Sequence, residues 1–324
     1  MSSLATDLDQ IFLEQSILGQ SSAARAGLLI WLASYSLVIY DYICTIEQEV
    51  KYIWSCPWTM GLAFFYLNRY LPFLEVILFS QLAFNSSVTL RECRVIIPLH
   101  IWLTTIGLTI SQTIMILRTY AIWGRRRLIF WILAPMAAAS FSFVLALTGW
   151  KTFHPVGTFV VPTGSQQVQC QLSAAAYNKQ SSIGLLVAYL LALIAEAVIT
   201  ILTAIKAREH VQKASPTWVI RLYRDGFLYC ACLLTISAIN AILPLVAPSS
   251  LKIIFFPLQR TLHSIFCNRV IFLILQHRYG VTENTGTWQS RPRPVTYTDS
   301  AMDIFTTIQM EDMYDADVSV TPRE

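Results

Sequence analysis

The sequence predicts an all-α membrane protein built as a bundle of seven transmembrane helices. Of its 324 residues, 55% are hydrophobic and only 13% are charged, which is about half the charged fraction of a typical soluble domain. Seven apolar stretches meet or approach the roughly 20 residues that a helix needs to cross the hydrocarbon core. None of them shows the strict alternation of a membrane β-barrel. A soluble or disordered chain is therefore a poor interpretation.

The seven predicted spans are apolar runs separated by polar segments. They cover residues 26–44, 58–82, 95–117, 128–150, 183–205, 226–246 and 251–275. The third, fourth and fifth are the clearest, whereas the seventh is the weakest because it contains Arg260, His263 and Arg269.

Around these spans the sequence predicts three regions. Residues 1–22 are expected to form a short extracellular segment before a transmembrane domain at residues 23–279. Residues 280–324 are expected to form a disordered cytosolic tail, because they are polar and contain few aliphatic side chains. Between Glu283 and Glu324 there are eight acidic and three basic residues, so the tail is acidic.

The distribution of lysine and arginine predicts the orientation. With the N-terminus outside, the inner loops hold 11 of these residues near the helix ends and the outer segments hold six, which agrees with the positive-inside rule. The glycosylation sequon at Asn85 then falls on the outer side, although it lies so close to the second span that its modification stays open. The plasma membrane is favoured over internal membranes.

The chain contains none of the short motifs that mark common enzymes. We find no HExxH, GxSxG, P-loop or GxGxxG pattern. A metal site requires several ligands at the same depth, and no three of the five histidines share a depth in the predicted bundle. The basic residues sit beside apolar runs, unlike those of a nucleic-acid-binding face. We therefore predict no enzymatic activity, metal, cofactor or nucleic-acid partner.

Charged residues inside the predicted spans are the most informative feature, because each raises the free energy of membrane insertion by about 2.5–3.5 kcal/mol at the centre of a helix. They mark a ligand site, an ion path or a switch, or else they form buried ion pairs that lock the bundle. Both interpretations stay open. The candidates for ligand or partner contact are Arg69, Glu75, Glu196, Arg260 and His263.

Depth counting at 1.5 Å per residue predicts which charges meet. Glu75 and Arg260 agree in depth to about 3 Å and are predicted to form a buried ion pair, and Asp41 can meet Arg269 near the inner ends of their helices. Arg69 then faces the cavity as the ligand or partner contact.

Two further predictions rest on the same counting. Arg69 and Glu196 also match in depth, although helices two and five are too far apart to bring them together without water. Asp41 and Arg269 are expected to have structural roles.

Two cysteines and one arginine are singled out by position. Cys93 and Cys170 are the two cysteines on the outer side, and a disulfide between them would tie the long outer loop to helix three. Arg118 and Tyr120 lie at the inner end of helix three, where receptors of the G-protein-coupled type place an arginine switch. The alternative is a basic residue that anchors the helix at the membrane surface.

The first two spans and the segment between them contain a distinctive set of residues. The stretches YDYICTIEQEVKYIWSCPW and FYLNRYLPFLE supply the matching positions Tyr40, Asp41, Glu49, Val50, Trp54, Trp58, Asn68, Arg69 and Tyr70. Together they resemble the signature of a fungal family, found mainly in basidiomycetes, known as domain of unknown function 6533. The resemblance covers residues 28–73, and LRTYAIWGRRR and LHSIFCNRVIF further along are similar to its usual continuation. It implies a multi-pass membrane protein and no established activity.

Two functions from different classes follow from these features. The leading hypothesis is a receptor-like or sensor-like seven-helix protein that binds a cytosolic partner through Lys206–Arg224 and the C-terminal tail. The alternative is a small-solute or ion transporter whose polar path is formed by Arg69, Glu75, Glu196 and Arg260. A scaffolding protein without a ligand is the third possibility.

Overall fold

The structure, a computed structural model, describes residues 2–54, 58, 60–85, 89–153, 161–162, 168–169, 179–212, 217–247 and 251–284. These residues contain seven α-helices, numbered in chain order. They are α1 (Ser2–Tyr52), α2 (Met60–Phe84), α3 (Leu90–Ile122), α4 (Arg127–Phe153), α5 (Lys179–Gln212), α6 (Thr217–Val246) and α7 (Phe256–Asn284). Between α4 and α5, β1 (Val161–Pro162) pairs antiparallel with β2 (Val168–Gln169). Most of the predicted tail lies outside the described residues.

Each predicted span lies largely within one helix, but several helices are longer than the apolar stretch. The hydrophobic run marks only the part of a helix that can sit in hydrocarbon, and backbone hydrogen bonds continue the helix into polar surroundings. The largest difference is in α1, which begins at Ser2 and ends at Tyr52. Residues 2–22 therefore continue the first helix, and Glu49 belongs to the bundle instead of an inner loop.

Local signals explain the two ends of α3. At its start, the Thr89 hydroxyl accepts a hydrogen bond from the Glu92 backbone N–H, and the Thr89 N–H donates to the Glu92 carboxylate. This capping box satisfies donors that the first helical turn leaves unpaired. After Trp123, Gly124 and Arg125 both adopt left-handed backbone conformations, with φ of 62° and 55°, and the chain turns into α4.

The helices pack into a bundle that has apolar side chains both in its core and on its outer surface. The main contacts join α5 to α6, α2 to α3 and α1 to α7. The core contains Leu62, Phe65, Ile114, Leu233 and Phe272. Large apolar side chains are also exposed on the outer faces of the helices, among them Leu29, Ile43, Leu74, Trp131 and Ile194. Lipid is the solvent in which such a surface is stable.

Six of the helices, α1 to α6, are long and apolar enough to cross a membrane. This arrangement is that of an integral membrane protein. Helix α7 does not meet the same standard of composition, because polar and charged residues recur along it. Five of these, Gln259, Arg260, His263, Ser264 and Asn268, are buried against other helices.

Candidate functional site

Polar and charged side chains fill much of the space between the helices. Near the end of α1, Glu49 forms an ion pair with Arg69 of α2, with 2.5 Å between Oε2 and Nε, and both side chains are almost fully buried. Thr45 accepts a second hydrogen bond from the guanidinium at 2.9 Å, and the Tyr70 hydroxyl donates to Glu49 Oε1 at 2.7 Å. We call these four residues the Glu49 cluster.

Aromatic rings enclose the arginine of this cluster. The Arg69 guanidinium carbon lies 4.9 Å from the ring centre of Tyr42, 5.9 Å from that of Phe65 and 5.2 Å from that of Phe272. The prediction that Arg69 faces a cavity is therefore wrong, because an acid that was assigned to a loop reaches it through the longer α1. Glu196, which matches Arg69 only in depth, forms its hydrogen bonds with other residues.

The next pair joins α1 to α7. Arg269 Nε donates to Asp41 Oδ1 at 2.7 Å, as the depth count predicts. Asp41 is buried, whereas the side chain of Arg269 is 41% exposed. The arginine thus covers a buried carboxylate while part of its own charge remains outside the protein interior.

The centre of the bundle contains the predicted pair of Glu75 and Arg260. Arg260 Nε donates to Glu75 Oε1 at 3.1 Å, and each side chain is only 1% exposed. Thr104 donates to the other carboxylate oxygen at 3.2 Å, and Arg260 Nη1 donates to the Ser111 hydroxyl at 3.3 Å. These four residues, together with Gly107, form the Glu75 cluster.

Gly107 belongs to this cluster because of the space it leaves. A Cβ atom at this position of α3 would overlap the Arg260 guanidinium. The absence of a side chain on α3 therefore allows an arginine of α7 to lie flat against the helix backbone.

Asn68 of α2 connects the Glu75 cluster to further residues of α7. Its side-chain amide donates to Asn268 Oδ1 at 2.9 Å and to the Ser264 carbonyl at 3.1 Å, and its own Oδ1 accepts from the Ser111 hydroxyl at 2.5 Å. The sequence singles out charged residues, so this neutral chain of hydrogen bonds was missed. Its only sequence signal is the presence of amides inside otherwise apolar stretches.

A third group lies between α5, α6 and α7. Glu196 Oε1 lies 2.9 Å from His263 Nε2, 3.3 Å from Gln259 Nε2 and 3.4 Å from Gln112 Nε2. Gln259 also donates to the Ser237 hydroxyl at 2.6 Å and accepts from Asn240 Nδ2 at 2.7 Å. We call Glu196, Ser237, Asn240, Gln259 and His263 the Glu196 cluster; three of its members are uncharged and were not predicted.

Arg118 and Tyr120 occupy the end of α3 that faces the α3–α4 turn. The Arg118 side chain is buried, and its guanidinium takes the space that a Cβ atom at Gly226 of α6 would need. Tyr120 is more exposed, and its hydroxyl donates to the Arg125 carbonyl at 3.1 Å. The two residues are therefore placed differently: Arg118 touches a second helix, and Tyr120 braces the turn.

The predicted disulfide and partner surface are described only in part. Cys93 is disulfide-bonded and buried, but Cys170 lies outside the described residues, so their pairing stays a prediction. Lys206, at the start of the predicted partner surface, forms an ion pair with Glu209 at 2.7 Å and lies 5.1 Å from the ring centre of Trp123. The remainder of that surface lies mostly among residues whose side chains are not described.

The chemistry of these clusters is that of neutralised charge and hydrogen bonding. Among the described residues, no group of three or more histidine, cysteine, aspartate or glutamate side chains is placed to hold a metal ion. The arrangement can hold helices in register, and it can bind a polar group where one of its own atoms lacks a partner.

Comparison with known proteins places the first part of the chain in context. Residues 30–74 match the model of a family of unknown function, DUF6533. The matched segment includes the second half of α1 and the first half of α2, and therefore the whole Glu49 cluster and Asp41. No curated protein matches the chain.

Proposed function

We propose that this protein is a receptor or sensor of the plasma membrane, in which α7 forms a seventh span, the N-terminus lies outside and the tail lies in the cytosol. The observation that carries the proposal is the contact of Arg118 with Gly226, which joins the end of α3 to α6 beside the basic segment Lys206–Arg224. A movement of α6 would release Arg118 and change the surface offered to a cytosolic protein.

The closed ion pairs favour this function over transport. Arg69, Glu75 and Arg260, three of the four residues of the predicted polar path, are held by partners from neighbouring helices and are at most 3% exposed. A transporter needs polar groups that exchange partners with a substrate, whereas a two-state bundle needs stable contacts within each state.

The test compares two glycine substitutions in the full-length protein. In Gly226→Ala, the new methyl group meets the end of the flexible Arg118 side chain, so the substitution displaces the arginine without separating the helices. Gly149→Ala is the matched control, since nothing lies within 4 Å of its Cβ position. Each protein is purified in mild detergent from labelled cells, and the bound cytosolic proteins are measured by quantitative mass spectrometry.

We expect Gly226→Ala to change the amount of a specific bound cytosolic protein at least about twofold, because displacing Arg118 biases the α3–α6 contact. Gly149→Ala should match the unsubstituted chain, and replacing the basic residues of Lys206–Arg224 by glutamine should abolish capture. A substrate flux in proteoliposomes that is lost in Glu75→Gln and Glu196→Gln would instead identify a transporter. Protease removal of a tail epitope from intact cells would contradict the orientation.

A further inference from the structure

The buried acids of the bundle differ in what neutralises them. Asp41, Glu49 and Glu75 each face an arginine. Glu196 is equally buried, but among the described side chains the only ionisable group within hydrogen-bond distance of it is the imidazole of His263. Arg260, one turn before His263 on α7, does not supply the missing charge because it is bound to Glu75 and Ser111. Glu196 is thus the one described buried acid without a permanent cation.

Only one of the two carboxylate oxygens of Glu196 has hydrogen-bond partners among the described residues. His263, Gln259 and Gln112 all contact Oε1, whereas Oε2 is buried and has no hydrogen-bond partner among the described residues. A carboxylate has room for about four donors over its two oxygens. Half of this carboxylate is therefore unused.

Two more atoms of the Glu196 cluster lack partners in the described part of the chain. They are Asn240 Oδ1 and His263 Nδ1, and both are buried. When the imidazole is neutral and Nε2 donates to Glu196, Nδ1 is an acceptor. The three unpartnered atoms of the cluster are then all acceptors, and one of them, Glu196 Oε2, belongs to the buried acid itself. The group that satisfies such a set is a cation that carries several N–H donors.

Aromatic rings lie on the side of the cluster toward the α6–α7 turn. Tyr189 and Phe256 are in edge contact, with ring centres 6.4 Å apart. Tyr189 precedes Glu196 by seven residues on α5, and Phe256 precedes His263 by seven on α7, which places the rings about 10 Å along the helices from the acid. Aromatic rings attract cations and pack against apolar substituents.

We propose that the Glu196 cluster is the binding site of a small primary ammonium compound with an aromatic or apolar substituent. Its ammonium group donates to Glu196 Oε2 and Asn240 Oδ1, and its substituent lies toward Tyr189 and Phe256. This inference rests on the receptor or sensor role proposed above and names the chemical class of its ligand.

The test measures binding to the purified full-length protein in detergent, by the rise of its thermal unfolding temperature with ligand concentration. The probe is phenethylammonium chloride, and 2-phenylethanol is its uncharged match in shape. Glu196→Gln removes the charge of the site and keeps its size. Glu92→Gln is the control, because it removes an exposed acid at the start of α3 and retains a side chain that can complete the capping box.

We expect a saturable rise with phenethylammonium that 2-phenylethanol reproduces only with about tenfold or more weaker affinity. Glu196→Gln should weaken phenethylammonium binding to a similar extent, and Glu92→Gln should leave it unchanged. If Glu196→Gln is not monodisperse, Asn240→Leu replaces it, since it removes an acceptor without altering charge.

Absence of a saturable rise in the unsubstituted protein overturns the site, as does equal binding by Glu196→Gln or equal binding of the uncharged compound. These results are distinguishable from failure of the receptor role, because no cytosolic protein is present in the measurement. Binding without any effect of Gly226→Ala on partner capture would keep the site and overturn the role.

Discussion

Glu75 and Arg260 lie 185 residues apart in the sequence and form an ion pair at 3.1 Å in the centre of the bundle. The pair connects α2 to α7 across the face of α3, where Thr104 donates to Glu75 Oε2 and Ser111 accepts from Arg260 Nη1. A charge costs several kcal/mol in this environment when it stands alone. Either residue can therefore be buried at low cost only when α2, α3 and α7 are correctly packed.

The first prediction concerns the two halves of this pair. Glu75→Gln and Arg260→Gln should each lower the free energy of unfolding by about 3–5 kcal/mol, because each leaves one buried charge without its partner. The exchange of both residues, Glu75→Arg with Arg260→Glu, should recover part of the loss. Thermal unfolding in detergent measures all three variants. If the double variant loses as much free energy of unfolding as the two single variants lose together, the two residues do not stabilise the protein as a pair.

The second prediction tests the space beside Arg260. Gly107→Ala should destabilise the protein by about 1–3 kcal/mol, because the added methyl group pushes a guanidinium that is already fixed by Glu75 and Ser111. Gly149→Ala in α4 is the control and should be neutral or slightly stabilising, since alanine is the better helix former and its Cβ meets nothing. Equal unfolding temperatures for the two variants would show that Arg260 can move aside freely.

The third prediction separates the hydrogen bond of Tyr70 from its ring. Tyr70→Phe keeps the aromatic contacts but removes the donor to Glu49, and a hydrogen bond to a charged group contributes about 1.5–3 kcal/mol. We expect a loss in that range by denaturant titration in micelles. Tyr120→Phe serves for comparison, because its hydroxyl binds a backbone carbonyl at the protein surface, and its effect should be smaller. The opposite order would mean that Glu49 is satisfied by Arg69 alone.

The fourth prediction follows from the unequal exposure of Asp41 and Arg269. Arg269→Gln should be more destabilising than Asp41→Asn, because the first strands a buried carboxylate and the second leaves an arginine that is already 41% exposed. The measurement is the difference in unfolding temperature between the two single variants. Equal values would indicate that both groups are equally solvated when unpaired.

The fifth prediction concerns the outer loop. Cys93 is disulfide-bonded, and the sequence predicts Cys170 as its partner on the oxidising side of the membrane. A membrane-impermeant maleimide should then label neither cysteine in intact cells until a reductant is added. Cys170→Ser should make Cys93 reactive in the presence of mild detergent without reduction. Labelling of both cysteines before reduction would contradict the pairing.

The sequence predicts the charged pairs better than it predicts their surroundings. Depth counting succeeds for Glu75 with Arg260 because α2 and α7 are in contact, and an error of two residues in a boundary shifts the depth by only about 3 Å. It fails for Arg69 because its partner, Glu49, follows the apolar part of α1 and was assigned to a loop. A helix that continues past its hydrophobic stretch gives no signal in hydropathy.

The neutral part of the network was missed for a different reason. Asn240 and Gln259 have no charge to mark them, and a single amide in an apolar helix does not indicate which neighbouring helix it bonds to. Their role depends on which residues of α5 and α7 face them, which only the packing determines. The same applies to Gly107 and Gly226, since a glycine in a helix is informative only when the side chain that fills its space is known.

The polar face of α7 has a consequence for biogenesis. In the proposed arrangement α7 leaves the ribosome after α1 to α6, and its charges make it a poor substrate for insertion on its own. By that stage Asp41 and Glu75, the carboxylates that neutralise Arg269 and Arg260, are already in the membrane on α1 and α2. Insertion of the final helix then depends on earlier helices that have begun to assemble. In that arrangement α7 is stable in the membrane only where α1 and α2 are already correctly packed.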